Sequence, residues 1–184
     1  MIVGADGWLD KVNRVESPNF DTRPQGSSIE LIVVHNISLP PGCYGGNHIA
    51  RLFTNTLDPS IDVFFAQIGR ARVSAHVLID RTGKATQFVS LTERAWHAGA
   101  SAWCGRTDCN DFSVGIEIEG TDFESFTSPQ YDSLNAVIGA SIATYPIRAV
   151  AGHSDIAPHR KTDPGPFFDW RRVLVPSSVS VPAL

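Results

Sequence analysis

Cysteine is scarce: Cys43, Cys104 and Cys109 are the only three in 184 residues. So small and odd a set argues against a disulfide framework and fits a reducing compartment. Cys104 and Cys109 have no second pair at metal-finger spacing, so free thiols are expected there and not a metal site. Long apolar runs are also missing, and no segment reaches the roughly 18 residues of a membrane-spanning helix. Met1-Ile2-Val3-Gly4-Ala5-Asp6 lacks the basic region and apolar core of a secretion signal, which makes the cytoplasm the expected location. Positive charge is not in excess, with 15 Lys and Arg against 19 Asp and Glu. Without a dense basic patch, nucleic acid is excluded as the main partner. Repeats and low-complexity tracts are absent. What is present is globular: 42% hydrophobic and 18% charged residues, with a net charge of −4. That length and composition suit a single domain over residues 1–184, with a core spanning about 29–175 and a flexible tail from 176 to 184.

The pattern along the chain predicts an α/β domain, one central mixed sheet with helices packed on its faces. Residues 1–28 are polar and rich in turn signals and should wrap the surface. Leu31-Ile32-Val33-Val34 reads as a buried strand that ends in His35-Asn36. Asn47 is placed to cap a short helix carrying Ile49, Leu52 and Phe53, and residues 55–70 read as irregular. Val73 to Ile79 reads as a second strand, Asp80 to Gly83 as a hairpin turn and Ala85 to Val89 as the return strand. Phe112 to Glu119 alternates, with Val114, Ile116 and Ile118 on one face and Gly115, Glu117 and Glu119 on the other. Thr127-Ser128-Pro129-Gln130 is a helix start with a capping-box spacing, followed by the stripe Tyr131, Leu134, Ile138, Ile142 and Tyr145. Val150 closes a short strand, and Phe167 to Leu174 suggests a last short helix.

The chemistry concentrates in Gly152 through Gly165. Pro158 and Pro164 argue against regular structure there, so the stretch reads as a shaped loop that presents His153, His159, Arg160, Lys161 and Asp163. A solvated polar turn is the alternative. Of the six histidines, His35 and His153 each follow an apolar strand-like run, and Asp163 lies across the loop from His153. Together they make a plausible open three-ligand zinc site, because two imidazoles and a carboxylate suit Zn2+ with a position left for water. Glu117, on the polar face of a buried strand, suits a general base, the alternative being a structural ion pair with an arginine. Lys161 suits stabilisation of an oxyanion, the alternative being a solvated loop lysine. His76, inside a strand, reads as a satisfied interior histidine. His97 reads equally as a substrate contact or as a group that orients a ligand. His48 and His159 are expected at the surface.

Several blocks then align in order: Val33 to Gly42, Val73 to His76, Arg94 to Gly99, Cys109 to Ser113, Gly115 to Asp122, and the loop from Gly152. From about Gly7 to Trp170 the chain resembles the AmpD-type anhydro-N-acetylmuramyl-L-alanine amidases of bacteria. These belong to the zinc amidases that share a fold with peptidoglycan recognition proteins. The resemblance implies Zn2+ on His35, His153 and Asp163, with Glu117 as base and Lys161 on the oxyanion. It also implies that Asn36, Arg72, Ala95, Trp96 and His97 shape the substrate cleft. Arg72 and Arg106 are candidates for the carboxylates of a stem peptide, which a guanidinium fork fits. In the same likeness relatives carry an arginine where this chain has Asp108, which leaves stem specificity open. The implied reaction is hydrolysis of the lactyl–L-alanine amide of anhydromuropeptides in peptidoglycan recycling, with an indirect effect on β-lactamase induction. No membrane insertion and no obligatory protein partner are implied. The rivals are an amidase acting on intact peptidoglycan and a recognition module that binds without cutting.

Overall fold

The computed structural model describes residues 1–182. In chain order its strands are β1 (Asn13–Arg14), β2 (Phe20–Asp21), β3 (Leu31–Ile37), β4 (Val77–Ile79), β5 (Ala85–Gln87), β6 (Arg94–Ala95), β7 (Ala102–Trp103), β8 (Arg106–Thr107), β9 (Ser113–Glu119) and β10 (Ala149–Gly152). The helices are α1 (His48–Phe53), α2 (Val63–Ile68), α3 (Ser128–Thr144) and the single turn α4 (His153–Ile156).

The two runs read as buried strands form the centre of the sheet. Its order is β1-β5-β4-β9-β3-β10. Within it β4, β9, β3 and β10 run parallel to one another, while β5 pairs antiparallel with β4, so the sheet is mixed as expected. Alternation sorts the side chains. Ile32 and Val34 of β3 and Val114, Ile116 and Ile118 of β9 pack under α3 with Tyr131, Leu134, Val137 and Ile138. Each such fully buried aliphatic side chain contributes about 1.5–3 kcal/mol relative to exposure. On the opposite face Leu31 and Val33 meet Ala98, Cys109, Phe112 and Ile156. Alongside them α1 and α2 close over Phe88, Val89 and Ala95. The start of α3 is the predicted capping box: Thr127 Oγ1 accepts from the Gln130 amide, and the Gln130 side chain accepts from the Thr127 amide.

Several expectations are corrected. The strand expected from Val73 is ordered as a strand only over β4. Ser74 instead donates its amide to the Trp96 carbonyl, and His76 donates to Gly115, so this stretch crosses toward the cleft. Residues 55–70 contain α2, capped by Asp62, whose side chain accepts from the Phe64 amide. Asn47 sits in a left-handed conformation with φ 58° and makes no side-chain cap. The loop from Gly152 begins with a helical turn. The helix expected from Phe167 to Leu174 is one 3-10 turn at Trp170–Arg172, because Phe168 is drawn into the core beside Tyr131. Residues 1–28 do more than wrap: β1 joins the sheet edge, and Val3 and Leu9 enter the core, so the core reaches beyond 29–175. The tail is docked as far as Ser180, with Val179 buried and Ser180 bridged to Ala149. The rest of that expectation, at 183–184, lies outside the described residues.

Candidate functional site

Strand register assembles the site. β3 and β9 pair His35 with Glu117, and β10 pairs Gly152 with Val34, so His153 emerges beside His35. All three stand at the carboxyl ends of parallel strands, where open α/β sheets place their ligand crevices. The loop after α4 folds back, with the Ser154 amide donating to the Asp163 carbonyl at 2.9 Å, and this brings in the Asp163 carboxylate.

His35 Nδ1 lies 2.9 Å from His153 Nδ1 and 3.0 Å from Asp163 Oδ2, and His153 Nδ1 lies 3.1 Å from the same oxygen. These three atoms are mutual neighbours on largely buried side chains. Burial holds His35 in its neutral form, pushing its pKa down to about 4 against the pull of the Asp163 carboxylate. Burial also works to raise Asp163, but its bonds with His153 and His35 prevail and keep it well below the usual carboxylate range. The neutral His35 imidazole, the His153 Nδ1 and an ionised carboxylate converge on one point, and a divalent cation fits such a set of donors.

Glu117 stands next to this cluster. Its Oε2 is buried and has no hydrogen-bond partner among the described residues. Burial, then the charge of Asp163, raises its pKa well above the ordinary value, while Lys161 opposes the rise. A buried carboxylate oxygen without a partner is costly, and such groups collect where a proton must be taken up.

Two grooves meet at the cluster. One, of 230 Å³, is lined by His35, Phe53, Val73, Trp96, His97 and Glu117, and the other, of 480 Å³, by Pro41, Asp122, Phe123 and Arg160. Asn36, Lys161 and Asp163 line both. Asn36 is oriented by Asp122: its Nδ2 donates to Asp122 Oδ1 at 2.6 Å and to the Pro164 carbonyl at 3.1 Å. Asp122 Oδ2 in turn accepts from Thr162 Oγ1 at 2.5 Å, which ties the loop to the end of β3.

Asn36, Trp96, His97, Glu117, Lys161 and the three cluster residues are therefore brought together. Others are not. Ala95 is fully buried among apolar side chains and lines neither groove. Arg106 lies in a different hollow with Glu30, Trp103 and Phe112, bonded to Glu30 Oε2 at 3.0 Å and stacked on the Phe112 ring. Its place on the β7–β8 hairpin turns it from the cleft. Arg72 is exposed, its guanidinium 3.4 Å from Asn55 Oδ1, next in sequence to the lining residue Val73. Asp108 heads the 3-10 turn Cys109–Asp111 and lines neither groove. His76 is interior as expected, and His159 is exposed, but His48 is half-buried against Phe65. Asp122 and Arg160 were not singled out as site residues. Asp122 falls in the Gly115–Asp122 block, but only the fold reveals that it spans Asn36 and Thr162.

Fold and donor set define a hydrolase class, and comparison agrees. The family described as N-acetylmuramoyl-L-alanine amidase matches residues 25–166, and the chain belongs to it. Within the family, 1,6-anhydro-N-acetylmuramyl-L-alanine amidase AmpD of Escherichia coli (strain K12) is 55% identical over 171 residues, 92% of this chain and 93% of that protein. A crystal structure of a selenomethionine AmpD derivative superposes with a TM-score of 0.91 at 53% identity, covering 94% of this chain and 97% of that one. The amidase AmiD of E. coli, solved with the substrate anhydro-N-acetylmuramic acid-L-Ala-D-gamma-Glu-L-Lys, is 30% identical with a TM-score of 0.59, covering 82% of this chain and 59% of that one. Among the described residues no helix is long and apolar enough to cross a membrane.

Proposed function

We propose that the chain is a zinc-dependent amidase that hydrolyses the amide between the lactyl carbonyl of 1,6-anhydro-N-acetylmuramic acid and L-alanine, acting on soluble cell-wall fragments in the cytoplasm. Similarity to AmpD supports the substrate, and its free cysteines suit that compartment. The observation that carries the chemistry is the partnerless Glu117 Oε2 beside three convergent donor atoms.

His35 and His153 through Nδ1, and Asp163 through Oδ2, would hold Zn2+. Bound there, the ion would supply Lewis acidity, polarising the carbonyl and making water easier to deprotonate. Glu117 Oε2, buried and without a partner of its own, takes the proton of the attacking water. It then delivers the proton to the alanine nitrogen as the C–N bond breaks, leaving a lactyl carboxylate and a free peptide amine. The Lys161 ammonium, at the junction of the two grooves, donates to the developing oxyanion. Asn36 and Trp96 orient the substrate across that junction. Arg72 is the guanidinium proposed for the stem carboxylates.

Mass spectrometry of purified anhydromuropeptide incubated with the zinc-loaded chain tests the reading, with a chelated control. Separate anhydro-sugar and peptide masses, lost on chelation, are expected. Intact fragment in both samples overturns it, and cleavage of polymeric peptidoglycan in preference to fragments transfers the activity to the lytic class.

A further inference from the structure

The outer nitrogens of both cluster histidines are taken up by one dipeptide, His97-Ala98. His153 Nε2 lies 3.0 Å from the Ala98 carbonyl, which can only accept, and a longer 3.4 Å from Arg160 Nη2, which already donates to that carbonyl at 2.7 Å; the shorter contact places the ring proton on Nε2 and turns Nδ1 to the centre. His35 Nε2 lies 2.9 Å from His97 Nδ1, and His97 Nε2 lies 3.2 Å from Ser113 Oγ. Once His35 Nδ1 is committed to the centre, its Nε2–H donates to His97 Nδ1, and His97 Nε2–H donates to Ser113 Oγ. The dipeptide is itself held from behind, because Asn110 Oδ1 accepts from the His97 amide at 3.2 Å and from the Ala98 amide at 2.8 Å. The His97 ring has little room to turn. It sits edge-on to His35 and His76 with centroids 5.1 and 5.7 Å away, and a Cβ on Gly115 would overlap it. Although His97 lines the cleft, both its nitrogens are engaged, which leaves it no hydrogen-bonding atom for substrate.

We propose that His97 and Ala98, clamped by Asn110, form a positioning shell that fixes both cluster histidines as Nε2–H tautomers, and that His97 serves the centre and not the substrate. The proposal rests on the reading of His35, His153 and Asp163 as a metal centre. Such outer partners set ring orientation and ligand basicity, and their loss costs about 10- to 100-fold in metal affinity.

The test is the zinc affinity of the full chain, by competition with a chelator, for wild type, His97→Phe, His97→Gln and Ser113→Ala. It is paired with 15N NMR of the histidine rings in the zinc-loaded state. His97→Phe fills the space but accepts nothing, so affinity falls about 10- to 100-fold and the His35 Nε2–H exchanges rapidly with solvent. His97→Gln, whose amide oxygen accepts and whose NH2 donates, recovers most of the affinity and the protected ring proton. Ser113→Ala, a milder change at the far end, lowers affinity in the same direction by less. Folded His97→Phe with wild-type affinity and a protected ring proton overturns the proposal. So does a raised KM at unchanged zinc affinity, which assigns His97 to substrate. Wild type that takes up no zinc overturns the metal reading instead, and the same titration distinguishes that failure from the others.

Discussion

On one face of β9, Val114, Ile116 and Ile118 lie under α3 among apolar neighbours. On the other, Ser113, Gly115, Glu117 and Glu119 face the cleft side, and all seven residues of the strand are buried. The apolar face needs only complementary volume. Each position on the polar face instead has a stated reason. Ser113 meets His97, Gly115 leaves room for that ring, and Glu119 accepts the Gly45 amide at 2.6 Å and the Arg81 amide at 3.1 Å. Glu117 alone keeps an oxygen without a partner. Burial on one face therefore serves stability, and on the other it raises the proton affinity of a carboxyl.

Substitutions can separate the two faces. The largest effect is expected for His153→Ala, which removes one of three donor atoms. Zinc uptake, followed by chelator competition, should fall by more than the about 100-fold upper range of an outer-shell change, with substrate cleavage lost alongside it. Ile116→Ala, on the opposite face, should cost about 2–5 kcal/mol in denaturant unfolding while zinc affinity per folded molecule stays unchanged. A loss of zinc affinity at equal folding would show that the faces are not independent.

The pH dependence of the metal-free protein sharpens the same contrast through His76, an interior group that is not a donor. The Gly115 amide donates to its Nδ1 at 2.9 Å, so Nε2 carries the proton and faces the Glu93 carbonyl at 3.1 Å. A second proton has no place, and burial, then the nearby Arg23 charge, pushes the pKa down to about 3. The unfolded chain protonates the same ring near pH 6.5 and so binds more protons between those values. Stability present above pH 6.5 is lost as pH falls toward 3, with a slope of about 1.4 kcal/mol per pH unit from this residue. His76→Gln should reduce the measured slope by that amount, and an unchanged slope would remove His76 from the account. The smallest effect is expected for Arg106→Ala. Its pair with Glu30 is partly exposed and of the kind worth about 0–1 kcal/mol, and kcat/KM should not change. A large fall in kcat/KM would return Arg106 to the substrate path.

Much of this was legible in the sequence where a periodic pattern met a physical requirement. The alternation from Phe112 to Glu119 and the run at Leu31–Val34 marked both central strands, and Thr127 with Gln130 marked the start of α3. The meeting of His35 and His153 was legible because each follows an apolar run. What was hidden depends on direction and distance. Residue type alone makes Arg106 as good a carboxylate partner as any other arginine, but the β7–β8 hairpin turns it toward Glu30. The six residues of α2 show no amphipathic period, so only the Asp62 cap marks them. The roles of Asn110, Asp122 and His97-Ala98 rest on hydrogen bonds between segments far apart in the chain, which no local pattern records.

In the proposed mechanism Glu117 moves the proton in a centre built by His35, His153 and Asp163. Its most direct test is Glu117→Gln, measured for both zinc affinity and turnover of anhydromuropeptide. Zinc affinity is expected to stay near wild type while kcat falls by about a hundred- to ten-thousand-fold. Full turnover in the folded, zinc-loaded variant would contradict it.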